Sequence, residues 1–468
     1  MHIITKNLLD GRLFSSFAEP LNQPSNLIQQ TSQVSNQSFN SATVGLESLT
    51  WLHNVAPCFP LRNDQIQVIQ EPKHFYDTLY PIAKNRIFLA SLYLGTGQLE
   101  SNFVQILKKS LQQQSTLKVN VLLDFTRGTR GEINSKTMFM PLVKDFTKRW
   151  IPPRWNELLG LQHMKTYLFD DAVFISGANL SNDYFTNRQD RYILIEDKVL
   201  ADFYAEFISR VQEFSLAVRK DSEVGLHHKW KILPYEGTKE EFTEKAKQRI
   251  LDLMRDAYKN QQKALFNCVK ADTCIFPLIE IGLLSNCVAG SRLKLATGYF
   301  NLTQEYMDTL THKCLAQFSI LMAHPTYNRN ISRLTVWCVV NKIIASTFSK
   351  MKNPVWTYHA KGLWYYLPCC SLANLTLIGS SNFGERSVNR HLETQICLMS
   401  IANTANNNNN TSNFTANGTH GYTATTFIVS TASSTRSDVN TTGGNTNAKI
   451  KNLNSTNTTT SNTTTINH

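Results

Sequence analysis

The sequence predicts an α/β protein made of two halves of one plan, with mixed, largely parallel sheets forming one shared active-site cleft. Three observations carry this reading. Strand-like and helix-like segments alternate, the order that crossover connections between parallel strands require. The succession starts again in the second part of the chain, as in a diverged duplication. A His-x-Lys triplet followed by a glycine-led turn ending in asparagine occurs once in each part, at His163 and at His359.

Taken in order, residues 1–50 form a leader with Lys6, Arg12, several serines and few acids beside Leu8, Leu9, Leu13 and Phe14. Two readings stay open for it, a mitochondrial presequence and a disordered segment. The first half, 51–225, has an apolar strand over 86–93, helical spacing over 99–112 and a second strand over 117–125. Strands over 166–169, 172–176 and 191–195 follow, and a helix over 199–213 closes the unit. Residues 226–265 read as a connector, with charged helix formers over 238–263. In the second half, 266–400, strands at 293–299, 318–323, 375–379 and 394–399 and a helix at 304–317 repeat the plan. From 401 to 468 asparagine, threonine and serine dominate, so too little apolar surface is available to offset ordering entropy, and the tail is expected to be disordered.

An excess of 47 Lys+Arg over 35 Asp+Glu gives a formal charge of +12, which favours anionic partners without choosing among phosphates, nucleic acid and acidic lipid headgroups. The nine cysteines lack metal-type spacing and read as reduced structural thiols. No stretch reaches the roughly 18 apolar residues of a spanning helix. The best candidate, 274–288, is broken by Pro277 and Glu280, so membrane contact is expected to be peripheral.

The chemistry sits in the paired motifs. His163, Lys165 and Asp170 spell HxKxxxxD, followed by Asn179 and Asp190; His359 and Lys361 open the second copy, followed by Asn382 and Glu393. On a strand, His and Lys two apart share a face, so both reach one phosphate. Imidazole can attack phosphorus or carry a proton, and lysine and asparagine offer donors to non-bridging oxygens. A carboxylate on the far ring nitrogen would fix the tautomer, a role available to Asp190 for His163 and to Glu393 for His359. None of this requires a metal or a cofactor. A single His-x-Lys is as often an ordinary surface pair; two copies in matching order argue against accident. Arg127 and Arg130, in a glycine-containing loop after a strand, are candidates for binding a substrate phosphate, against the plainer reading of a solvated basic loop.

The pair of motifs resembles the duplicated HKD motif of the phospholipase D superfamily. More narrowly, the chain resembles the eukaryotic phosphatidylglycerophosphate synthases (CDP-diacylglycerol–glycerol-3-phosphate 3-phosphatidyltransferases). The narrower likeness rests on Tyr93 to Gly97 with Glu100, Leu122 to Gly131, Gly177 to Tyr192, Gly298 to Gln304, His359 to Trp364 and Leu377 to Ser387. The resemblance implies a duplicated phospholipase D-like fold. It also implies transfer of a phosphatidyl group from CDP-diacylglycerol through histidine to glycerol 3-phosphate, with CMP released, toward cardiolipin. The expected setting is an anionic membrane surface, peripheral to the mitochondrial inner membrane, with no nucleic acid partner. Tyr366 stands where a full second motif would have aspartate, a loss the synthases tend to share. That asymmetry assigns His163 as nucleophile and His359 as general acid/base. Residues 325–356 lack the glycine-rich stretch usual in these synthases, and the Asn/Thr tail replaces a helical continuation. The alternatives are a phospholipase D-type phosphodiesterase and a non-catalytic membrane-binding pseudoenzyme of the same fold.

Overall fold

One strand–helix–strand crossover lays out each half of the molecule. The computed structural model describes residues 2–4, 48–49, 51–79, 83–142, 162–218, 224–230, 232, 239–264, 271–277, 287–298, 301–322, 347–351, 357–389, 391–400 and 422–424. In the first half, β1 (Arg86–Ser91) is buried from its second residue on, the pattern of a strand covered on both faces. Helix α1 (Gln98–Gln113) buries Phe103, Val104 and Leu107 and returns the chain to β2 (Lys118–Asp124), parallel to β1 with Arg86 opposite Lys118. Then β3 (Thr166–Phe169), β4 (Ala172–Ser176) and β5 (Tyr192–Glu196) add antiparallel on the other side of β1, with Ile66–Ile69 outside β5. Helix α2 (Lys198–Glu213) follows, N-capped by the Asp197 side chain.

The connector is helix α3 (Lys239–Ala264). Its buried Phe242, Ala246, Ile250, Leu253 and Met254 recur at helical spacing and pack it into the core beside α2. Arg249 clasps Glu213 with two hydrogen bonds of 2.7 and 2.8 Å.

The second half repeats the first. Strand β6 (Arg292–Thr297) leads through the short helix Gln304–Asp308 and a π turn, Thr309–Lys313, to the parallel β7 (Gln317–Met322). Strands β8 (Gly362–Tyr366), β9 (Leu375–Gly379) and β10 (Gln395–Ser400) add antiparallel beside β6, with Thr273–Pro277 beyond β10. The orders β2-β1-β3-β4-β5-(66–69) and β7-β6-β8-β9-β10-(273–277) match strand for strand and direction for direction.

Among the described residues these strands belong to two nine-stranded mixed sheets. The expectation of largely parallel sheets is corrected: each has only two parallel pairings, β2 with β1 and with His2–Ile4, and β7 with β6 and with Thr347–Met351. The other neighbours are antiparallel; a short turn joins β3 to β4, whereas a strand returns in the same direction only through a crossover such as the one from β1 to β2.

Two short segments depart from the expected boundaries. His2–Ile4, in the leader, pairs between β2 and Leu216–Val218, and Tyr422–Ala424, in the tail, pairs with Thr347–Met351. Such β-branched or aromatic segments suit a sheet, and Tyr422–Ala424 lies at the edge of its own sheet. Apart from residues 48–49, the rest of the leader and the rest of the tail, with most of 325–356, lie outside the described residues. One apolar cluster joins the two sheets, holding Leu168 and Val173 of the first with Leu363 and Leu377 of the second. Among the described residues no helix is long and apolar enough to cross a membrane, and the seven described cysteines are free thiols.

Candidate active site

His163 and His359 sit in extended segments just before β3 and β8, not within the strands. Each segment is tied to the other half. Gln162 bridges Leu392, and the His163 N–H donates to the Leu392 carbonyl at 2.9 Å. In the same way Thr357–Tyr358 pairs with Arg188–Gln189, and the His359 N–H donates to the Gln189 carbonyl at 2.9 Å. The residue after Leu392 is Glu393 and the residue after Gln189 is Asp190. The carboxylates are therefore exchanged between halves. His163 Nδ1 meets Glu393 Oε2 at 2.8 Å, and His359 Nδ1 meets Asp190 Oδ2 at 2.6 Å. This corrects the pairing within each half that chain order suggests.

Lys165 and Lys361 are buried and donate to the carbonyl oxygen of the histidine two residues earlier, at 2.6 and 2.5 Å; Lys361 also reaches Asp190 Oδ2 at 3.3 Å. Asp190 Oδ1 accepts the Arg191 N–H at 2.8 Å, and a Cβ on Gly177 would stand 2.6 Å from that oxygen, so glycine there makes room for the carboxylate. Asn179 is buried and Asn382 partly so, and the side-chain oxygen of each has no hydrogen-bond partner among the described residues. Tyr184 Oη lies 3.3 Å from His359 Nε2 and accepts from Arg188 at 3.3 Å.

Burial, the largest influence, pushes both imidazoles down to about 3, outweighing the upward pull of Glu393 on His163 and of Asp190 on His359. Burial likewise lowers Lys165 and Lys361. It acts to raise the two carboxyls, yet His163 beside Glu393 and Lys361 beside Asp190 hold both below the usual carboxylate range. The pairs are thus neutral imidazoles against carboxylates at neutral pH. A ring whose Nδ1–H faces a carboxylate keeps the Nε2 lone pair for attack or proton transfer.

Asp170 does not join this group. It lies at the far end of β3 from His163, at φ 49°, where its carboxylate accepts the N–H groups of Lys84, Asn85 and Arg86 at 2.7, 2.8 and 2.9 Å. The aspartate of HxKxxxxD is thus a turn tie here, a correction to its reading as a catalytic group. Tyr366 at the matching position in the second half lies under Arg292, so its presence says nothing about which histidine attacks. Arg127 is partly buried and Arg130 exposed, in the turn after β2. What links that turn to His163 is Asp124, which accepts the N–H groups of Arg127 at 2.9 Å and Gln162 at 3.0 Å.

Sequence reasoning missed several members of the site. Arg191 crosses to the second half, donating to the Leu377 carbonyl at 2.6 Å and Thr376 Oγ1 at 3.0 Å over the Trp364 ring; burial brings its pKa down to about 10. Glu100 is wrapped by Gly95 and Gly97, whose added Cβ atoms would lie 2.2 and 2.8 Å from its oxygens, and it accepts the Asn182 N–H at 2.5 Å. Ser380 donates to Glu393 Oε2 at 2.5 Å, and His391 faces the other oxygen. The signal for His391 was only its place two residues before Glu393. His163, His391 and Glu393 each place a potential ligand atom within 4.8 Å of the others.

No family profile matches the chain. It is 36% identical to the mitochondrial CDP-diacylglycerol–glycerol-3-phosphate 3-phosphatidyltransferase of Homo sapiens, over 76% of this chain and 77% of that one. A probable enzyme of the same name from Dictyostelium discoideum is 31% identical over 85% and 79%. The corresponding Saccharomyces cerevisiae protein is 28% identical over 81% and 87%. Among solved structures, the phosphatidylserine synthase of Haemophilus influenzae superposes with a TM-score of 0.52 at 18% identity, covering 78% of this chain and 88% of that one, and shares the fold.

Proposed function

We propose, because the chain belongs to the CDP-diacylglycerol–glycerol-3-phosphate 3-phosphatidyltransferase family, that it makes phosphatidylglycerophosphate from CDP-diacylglycerol and glycerol 3-phosphate. The observation that carries the reading is the crossed pair of neutral histidines, each held by the other half's carboxylate. His163 Nε2 attacks the phosphatidyl phosphorus, a P–N bond forms and the bond to the bridging oxygen breaks, with CMP leaving. His359 then takes the proton from a hydroxyl of glycerol 3-phosphate, that oxygen attacks phosphorus, and the P–N bond breaks. Lys165, Lys361, Asn179 and Asn382 stand ready to donate to the non-bridging oxygens. His163 is favoured as nucleophile because its Nε2 has no hydrogen-bond partner among the described residues, whereas His359 Nε2 has Tyr184 Oη at 3.3 Å and Lys361 Nζ at 3.1 Å, which the acceptor hydroxyl displaces before His359 takes its proton. Arg127 and Arg130 are proposed to hold a substrate phosphate. The formal charge of +12 suits a peripheral place on an anionic bilayer, and relatives named as mitochondrial favour that organelle; a place at its inner membrane, on the way to cardiolipin, belongs to the same proposal.

The test is purified full-length protein with CDP-diacylglycerol and labelled glycerol 3-phosphate. Labelled phosphatidylglycerophosphate and stoichiometric CMP are expected; phosphatidic acid as sole lipid product would make it a phosphodiesterase instead. With the acceptor withheld, His163→Ala should abolish the covalent phosphatidyl adduct and His359→Ala should still trap it. Label on the His359 peptide would reverse the two roles.

A further inference from the structure

The two histidine–carboxylate pairs are built alike, but their carboxylates are not held alike. Both oxygens of Asp190 are engaged: Oδ2 by His359 and Lys361, Oδ1 by the Arg191 N–H. In Glu393, Oε2 takes His163 and Ser380, while Oε1 is buried and makes no hydrogen bond among the described residues. Lys165, the counterpart of Lys361, does not fill the gap; it donates to the His163 carbonyl. The group facing Glu393 Oε1 is His391 Nδ1, at 3.4 Å.

His391 is 9% exposed, and neither ring nitrogen makes a hydrogen bond among the described residues. A buried imidazole and a buried carboxylate oxygen, each unsatisfied and facing the other, are costly to leave apart. Closing a few tenths of an ångström would satisfy both. The ring also packs on His163, centroids 5.2 Å apart and planes inclined by 37°. Glutamate has one more rotatable bond than aspartate, so holding one oxygen leaves the carboxylate freer to swing than at Asp190. The first-half residue matching His391, two before the carboxylate, is Arg188, which serves Tyr184 instead.

We infer that His391 is a positioning residue for the nucleophile: its Nδ1–H, given to Glu393 Oε1, locks the carboxylate whose other oxygen fixes the tautomer and direction of His163. The inference rests on the reading of His163 as the attacking group. It concerns the second partner of the orienting carboxylate, one step removed from the reacting atoms.

The experiment uses the full chain with His391→Leu, His391→Asn and His391→Gln. Asparagine puts its amide nitrogen near the position of Nδ1, and glutamine near that of Nε2. The readouts are the acceptor-free burst of CMP from CDP-diacylglycerol, KM for that substrate, the thermal midpoint, and the His163 ring ¹⁵N shifts. The leucine variant should slow the burst about tenfold or more, with KM changed by less than about threefold, the range expected when an outer partner of a reacting histidine is lost. Asparagine should recover most of the rate and glutamine little. The ¹⁵N shifts should show one tautomer in the wild type and a mixture in the leucine variant. A leucine variant at the wild-type rate would overturn the inference, as would rescue by glutamine but not asparagine, which places the role at Nε2. Equal slowing in all three variants with equally lowered thermal midpoints would reduce His391 to packing. A wild-type protein that releases no CMP would sink the transferase reading instead, and the tautomer comparison would still decide the role of His391.

Discussion

Asp190 and Glu393 occupy matching places in the two halves, yet each serves the histidine of the opposite half. Removing one charge should therefore injure the other half's chemistry. Glu393→Gln is expected to slow adduct formation at His163 by roughly 10²–10⁴-fold, as when a triad carboxylate is neutralised and the wrong tautomer results. Asp190→Asn should leave adduct formation largely intact and slow its discharge to glycerol 3-phosphate by a similar factor. Rapid-quench measurement of CMP and lipid product separates the two steps, and the opposite assignment of effects would refute the crossed pairing. Asp170 gives the contrasting case. Asp170→Ala removes the acceptor of three backbone N–H groups at a positive φ that alanine tolerates poorly. It should cost about 1–3 kcal/mol in urea unfolding while turnover per folded molecule stays within about twofold. A collapse of turnover with unchanged stability would restore Asp170 to the chemistry.

Among the elements, the contact between β9 and β10 is the one that aims Glu393, which lies two residues before β10 begins. Gly379 ends β9 opposite Gln395, and a Cβ there would lie 2.1 Å from the Thr394 carbonyl oxygen and 2.7 Å from the Gln395 Cα. Both obstacles are backbone, so the strands must part. Gly379→Ala should lower stability by about 1–3 kcal/mol, the usual cost of overpacking, and slow the CMP burst by displacing Glu393. Denaturant unfolding and the burst assay check the two effects, and a variant with normal stability would show that the strands accommodate the methyl group. Half of this arrangement was readable beforehand. The spans 86–93, 99–112 and 117–125 foresee β1, α1 and β2 because apolar periodicity marks burial on a local scale. The predominance of antiparallel neighbours was not readable, since the pattern of a doubly covered strand does not reveal the direction of its neighbour.

At the scale of the molecule, the site welds the halves together, because neutral His163 and His359 are buried against partners 230 and 169 residues away in the chain. Each is pushed from 6.5 down to about 3 on folding. As pH falls below about 6.5 the unfolded chain therefore takes up protons that the folded one refuses until about pH 3. Stability from these two groups is full above about 6.5 and is lost progressively toward 3, by up to roughly 1.4 kcal/mol per pH unit for each histidine. Asp190 and Glu393, held low in the folded state, add stability that is full above their ordinary values of 3.8 and 4.5 and is lost progressively as pH falls below them. The urea midpoint is expected to fall steadily from pH 7 to pH 4.5, and less steeply in a His163→Ala, His359→Ala double variant. A flat profile in the wild type would mean that the imidazoles are charged when folded.

By itself the sequence determined the composition of the site and most of the elements that carry it. The repeated His-x-Lys, Asn and carboxylate set announced two halves with one chemistry, and charged helix formers marked α3, because residue type and local spacing survive without knowledge of neighbours. Only the tertiary structure decided who partners whom. It sent Glu393 to His163 and Asp190 to His359, retired Asp170 to a turn and brought His391 against Glu393. Those contacts are made where the segment before each histidine pairs with the opposite half, at Gln162–Leu392 and Tyr358–Gln189. A strand's own residues fix which face it buries; the partner it pairs with across a domain boundary is fixed by how two independently patterned sheets dock.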